Sequence, residues 1–146
     1  MGTLQRFIDA QDDGCPTAYE VALSELKDGQ KRSHWIWFVL PQLRCLGRSN
    51  IAIRYGIEDI NEAKAYLQSQ LLRDRLVGVL TIIEKQILAD NKSLEQLMGK
   101  SIDAVKTISS FTLFEAAGLS EATPLLDQLG MRCEATQKEL ESMPQD

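Results

Sequence analysis

Leu71-Leu72-Arg73-Asp74-Arg75-Leu76-Val77-Gly78-Val79-Leu80-Thr81-Ile82-Ile83-Glu84-Lys85-Gln86-Ile87-Leu88-Ala89 is the stretch on which the fold turns. Within it Leu72, Leu76, Val79, Leu80, Ile83 and Ile87 recur at helical spacing, while Arg73, Asp74, Glu84 and Lys85 fall off that stripe. The pattern predicts one long amphipathic helix at the centre of the domain. Gly78 costs such a helix about 1 kcal/mol relative to Ala and marks a close crossing with a neighbouring helix.

Shorter helical segments flank it. Leu4 to Ala10 forms a first helix that stops near Gly14 and Pro16, and Pro16 or Thr17 opens a second that ends at Gly29. Ser33 is placed to cap a short helix through Trp37 toward Pro41, Ser49 another through Arg54, and Asp59 a third through Leu67. Beyond the long helix come a short one closed by Gly99, then Ile102 to Ala117 with Ile102, Val105, Ile108 and Phe111 or Thr112 as its inward stripe. Ser120 and Pro124 frame a helix to Leu129, and Arg132 to Met143 gives a polar terminal one. No linker, repeat or low-complexity tract interrupts the series. The expectation is all-α, one compact domain over residues 1–146 with eight to ten helices around the long one.

Composition agrees. The 146 residues suit a single domain, and Leu, at 20, outnumbers Val, at 5, which favours helix. The longest apolar run, Trp35 to Leu40, is far short of the ~20 residues that cross a bilayer. Met1 to Arg6 has neither a signal core nor a myristoylation motif, so cytoplasmic residence is expected. Cys15, Cys45 and Cys133 have no paired spacing and are expected as reduced, mostly structural thiols. No metal site and no cofactor are expected. Phosphate-loop, dinucleotide, nucleophile-elbow and zinc-protease signatures are all absent.

Charge is unevenly distributed. The net charge is −5, yet Gly29 to Ile57 contains Lys31, Arg32, Arg44, Arg48 and Arg54 and no Asp or Glu. Such a segment suits an anion, or else its cations pair with carboxylates elsewhere. Both tryptophans and the sole histidine lie inside it, in Lys31-Arg32-Ser33-His34-Trp35-Ile36-Trp37-Phe38. Trp35 and Trp37, two apart on a short helix, cannot face the same way, so one is expected to line a cleft where its indole would stack a base. His34 follows Lys31 by three residues, and on a helix the two would share a face suited to holding phosphate or moving a proton. Gly47-Arg48-Ser49-Asn50 precedes a helix, so backbone N–H groups, a hydroxyl and a guanidinium are placed to converge on an anion, or form a plain capped turn. Asp103, Lys106 and Ser110, beside Ser109 and Thr112, recur on one helix as a buried network or the second wall of a pocket.

The run Lys31 to Phe38 with Pro41-Gln42, the Gly47-Arg48-Ser49 turn, Tyr55, Glu62-Ala63 with Tyr66-Leu67, and Asp103-Val105-Lys106 with Ser109-Ser110 and Thr112-Leu113-Phe114 resemble domain of unknown function 1810, a bacterial and fungal family. The resemblance spans about residues 4–130 and implies a small all-helical domain with no established activity. Residues 131–146 are read as a polar helical tail. Ser69 stands where relatives often have proline before the long helix. The label calpastatin, sometimes given to members, comes from a disordered inhibitor and has no support in this Leu-rich chain.

Function is therefore argued from the residues. The leading expectation is a domain that binds or processes a small anionic, nucleotide-like ligand. Lys31 and Arg48 hold the anion, His34 moves a proton, Asp103 orients Lys106, and a tryptophan stacks; Gln42, Ser49, Tyr55, Ser109 and Ser110 complete the site. The rival is a non-catalytic module in which these residues are structural and the partner is a protein. Nucleic acid ranks last, since the basic segment is set in an acidic chain, and no membrane partner is expected.

Overall fold

The computed structural model describes residues 3–143. Among them are ten α-helices: α1 (Gln5–Gln11), α2 (Ala18–Lys27), α3 (Ile36–Val39), α4 (Asn50–Arg54), α5 (Ile60–Gln68), α6 (Gln70–Leu88), α7 (Leu94–Met98), α8 (Ser101–Ala116), α9 (Thr123–Leu129) and α10 (Glu134–Ser142). No strand occurs among the described residues, where a lone parallel bridge joins Leu43 to Ile57. The all-α reading holds, and none of these helices is long and apolar enough to cross a membrane.

The long helix α6 buries Leu72, Leu76, Val79, Leu80 and Ile83, the stripe read from sequence, while Ile87 is half-buried. Helices α2, α5 and α7 pack against it. The crossing with α2 is close: a Cβ at Gly78 would lie 2.8 Å from the Tyr19 hydroxyl, which donates to the Arg75 carbonyl at 2.8 Å. Ser69, the departure from the family pattern, accepts from the Leu72 N–H and so caps this helix. Thr17, Ser49, Asp59 and Ser93 cap α2, α4, α5 and α7, as their types require.

Helix α8 corrects the sequence reading. Ile102 and Val105, expected inside, are each 60 % exposed, whereas Asp103, Ala104, Thr107, Ser110, Phe111 and Phe114 are buried. Small hydroxyl side chains enter the core at low cost because the helix itself can satisfy them. Thr107 Oγ1 donates to the Asp103 carbonyl at 2.8 Å and Thr112 Oγ1 to the Ile108 carbonyl at 2.7 Å. Ser109 shares a hydrogen bond with Thr136 of α10 at 2.8 Å. The terminal segment is thus built into the fold, and Arg132 further anchors it with two 2.8 Å bonds to Glu115.

Candidate functional site

Residues 31–35 are not helical. Ser33, expected as a cap, lies three residues before the first turn of α3, and Trp35 stands at the helix boundary without a side-chain cap. The chain there is irregular, with Lys31 and Trp35 buried, Ser33 intermediate, and Arg32 and His34 exposed. Burial alternates along this bent segment, with odd residues inward and even ones outward. Lys31 and His34, expected on one face, therefore point to opposite sides.

A buried carboxylate that the sequence reading missed organises the inward side. Glu25 of α2 accepts from the Arg32 and Ser33 N–H groups at 2.9 Å each, from the Ser33 hydroxyl at 2.5 Å, and from the Trp35 indole N–H at 2.9 Å. Burial pushes its pKa up, but these four hydrogen bonds outweigh burial and bring it to about 2. Its signal was available, since Glu25 adjoins Leu26 and falls one turn after Ala22 on the apolar stripe of α2. The carboxylate uses up the Ser33 hydroxyl, which is why that side chain caps nothing.

Lys31 lies on the same inward side. Its ammonium donates to the Ser33 carbonyl at 2.5 Å, pairs with Asp103 Oδ2 at 3.0 Å, and lies 5.0 Å from the Trp35 ring centre. Its N–H donates to the Leu97 carbonyl at 2.7 Å, and its own carbonyl passes so near Gly99 that a Cβ there would sit 2.8 Å away. Gly99, at φ +80, closes α7 in the left-handed region. Asp103 therefore orients Lys31, not Lys106 as expected, and Lys31 is a buried partner instead of a free cation. Trp35, 2 % exposed, is core.

The outward side is different. Trp37 is half-buried, with the Lys106 ammonium 5.4 Å from its ring centre and the His34 ring 6.4 Å away at 30°. Among the described residues neither His34 nor Lys106 takes part in any side-chain hydrogen bond or ion pair. The segment and α8 thus meet, as expected, and bring together His34, Trp37 and Lys106 outside, with Lys31 and Asp103 beneath them.

The other expected residues lie elsewhere. Gln42 contributes its carbonyl to the Ile57 N–H at 2.9 Å. Ser49 accepts from Ala52 at 3.2 Å as a helix cap, and Arg48 is exposed with no ion pair among the described residues. Tyr55 packs edge-on against Phe38 at 5.4 Å and lines a separate cavity of 370 Å³. Ser109 is spent on Thr136, and the buried Ser110 hydroxyl has no protein partner. Of the remaining cations in the basic segment, Arg32 pairs with Asp28 at 3.2 Å on the surface and Arg54 lies 5.4 Å from the Tyr55 ring centre. The pairing reading of that charge run is thus partly met, by Lys31 with Asp103 and Arg32 with Asp28.

Cys15 and Cys45 are exposed and Cys133 half-buried, so the first two are not the packed thiols expected. Burial and the Glu139 carboxylate push the Cys45 thiol up, which opposes nucleophilic use. No group of His, Cys, Asp and Glu among the described residues could hold a metal ion.

The conserved hypothetical protein Rv1873 from Mycobacterium tuberculosis has a crystal structure similar to this chain, with 38 % identity and a TM-score of 0.85 over 96 % of this chain and 97 % of that one. No curated protein matches. The model of the protein of unknown function family DUF1810 matches residues 2–140, past the end of the resemblance near residue 130 and into the terminal segment, and the chain belongs to that family.

Proposed function

We propose that this domain binds a small, nucleotide-like anion on the outward face of His34, Trp37 and Lys106. The observation that carries the reading is the half-buried Trp37 indole with the Lys106 ammonium and the His34 ring near it, neither of them in a side-chain hydrogen bond or ion pair among the described residues. An indole face held by packing stacks a base with about 1–3 kcal/mol, and the two flanking groups suit a phosphate. Glu25, Lys31 and Asp103 are positioning residues that fix the backbone from which His34 and Trp37 project.

The test is a thermal-shift panel of nucleotides, ADP-ribose-like compounds and simple phosphates. A compound at 100 times its Kd that binds only the folded chain adds about 2.7 kcal/mol of stability. At least one compound should stabilise the wild type, and Lys106→Ala and Trp37→Ala should lose most of that shift. Silence across the panel removes the proposal and leaves the second reading, a protein-interaction module. That reading has its own support in Val105 and Met131, two apolar side chains more than half exposed on the lining of a groove of 290 Å³, and in Ile102, which is 60 % exposed on the same helix as Val105.

A further inference from the structure

The 370 Å³ cavity beside Tyr55 lies between α1, the start of α2, α3 and α4, and the anion face does not use it. Its floor is aromatic, since Phe38 and Tyr55 are both half-buried and meet edge to face at 5.4 Å. Ala10 adds a methyl wall. One cation at its base is fully engaged: the Arg6 guanidinium donates to both Glu62 oxygens at 3.1 and 3.2 Å and to the carbonyls of Thr3, Arg54 and Gly56 at 2.7–3.0 Å. It thereby fixes the backbone on either side of Tyr55.

The remaining charges are not neutralised. Asp13 has no side-chain hydrogen bond or ion pair among the described residues, and Asp9 has only the Gln5 amide, at 2.9 Å on one oxygen. The Arg54 guanidinium lies over Tyr55 and forms an ion pair with neither aspartate. A guanidinium and two carboxylates therefore line one cavity at separations too long for direct pairing. A molecule with a positive and a negative end meets both, and its apolar part lies on the aromatic floor. The volume falls at the small end of ligand pockets, roughly 300–1,000 Å³.

From this geometry we propose that the cavity binds a small zwitterion of the amino-acid type with an apolar or aromatic side chain. Its ammonium faces Asp9 and Asp13, where the ring of Tyr55 adds cation attraction, and its carboxylate takes the two-pronged donor of Arg54. The site is independent of His34, Trp37 and Lys106, so either proposal can fail alone.

The experiment is a backbone-amide NMR titration of the full chain with L-phenylalanine, phenethylamine and 3-phenylpropionate in parallel. Phenylalanine should give saturable shifts at Ala10, Ala18, Phe38 and Tyr55, and each half-molecule should bind at least tenfold more weakly. Asp13→Asn and Arg54→Gln, both at exposed positions, should each weaken phenylalanine about tenfold while the remaining spectrum keeps its wild-type dispersion. Phenethylamine binding as tightly as phenylalanine, with Arg54→Gln neutral, would make this a cation site and overturn the proposal. Phenylpropionate binding as tightly would overturn it likewise, as would the absence of saturable shifts for phenylalanine and L-leucine up to millimolar concentration.

Discussion

The two sides of the 31–37 segment hold similar residue types and treat them in opposite ways. On the inner side a Lys, a Ser and a Trp have their polar atoms matched, Lys31 by Asp103 and the Ser33 carbonyl, Ser33 and Trp35 by Glu25. On the outer side a His, a Trp and a Lys approach one another without any side-chain hydrogen bond or ion pair among the described residues. Low dielectric explains the first, because an unmatched buried charge or hydroxyl costs more than a matched one returns. On the second side, exposure to solvent removes that requirement for a protein partner. Residue type does not separate the two sides; the state of their partners does.

The largest test of that division is Lys31→Ala. Deleting one member of a buried pair strands the other, and with Lys31 and Asp103 side chains only 5 % and 10 % exposed the expected loss is about 3–5 kcal/mol. Chemical denaturation measures it. The double variant Lys31→Met/Asp103→Leu should recover much of the loss, because no stranded charge remains. A Lys31→Ala protein as stable as wild type would move Lys31 to the outer, ligand-facing class.

Acid unfolding tests the same side through Glu25. Its folded pKa of about 2 lies below the ordinary 4.5, so its stabilisation is complete above about pH 4.5 and is lost as pH falls toward about 2. By linkage the contribution is on the order of 3 kcal/mol. Glu25→Gln should lower stability at pH 7 and flatten the decline in that window. Equal slopes in wild type and variant would mean the four hydrogen bonds do not hold the carboxylate in solution.

How far the sequence could be read follows from the same physics. The α6 stripe and the caps at Ser49 and Asp59 were legible because spacing and local hydrogen bonding determine them, and Thr17 was one of the two starts read for α2. Two things were not. The segment from Lys31 to Trp35 has helix-compatible residues, but Glu25, six residues before Lys31, captures its N–H groups, and a non-local acceptor leaves no trace in a local window. On α8, Asp103, Thr107 and Ser110 displaced Ile102 and Val105 from the core because their polar atoms have partners within the fold, Ser110 excepted. That exchange leaves an apolar stripe pointing the wrong way. The candidate site inherited both errors: Lys31, read as holding an anion, is a buried partner of Asp103, and of the two tryptophans only Trp37 is left partly exposed.

Lys106→Ala probes the outer side with a smaller effect. Its ammonium over Trp37 is a cation–π contact at the surface, worth about 0.5–1 kcal/mol, so denaturation should register at most that loss. Trp37 fluorescence should change at the same time, since the charge nearest the indole is removed, and Trp35→Phe isolates the signal. A loss above 2 kcal/mol would mean Lys106 supports the core and is unavailable to an anion.

His34→Ala should have the smallest effect on stability and the most informative one on binding. The ring is exposed and makes no hydrogen bond among the described residues, so its removal strands nothing, and a change within about 0.5 kcal/mol is expected. That outcome alone is weak, because most exposed residues behave so. Its force comes from pairing it with the ligand panel: if the outer side is a binding face, a nucleotide-dependent thermal shift should fall in His34→Ala while the unliganded melting temperature stays put. His34→Gln, which keeps a donor at similar reach, should restore part of the shift if the ring binds by hydrogen bonding. It should restore none if the ring acts through charge. Early melting of His34→Ala without ligand would instead show that the ring supports the fold, and the two sides of the segment would then differ in exposure only, not in role.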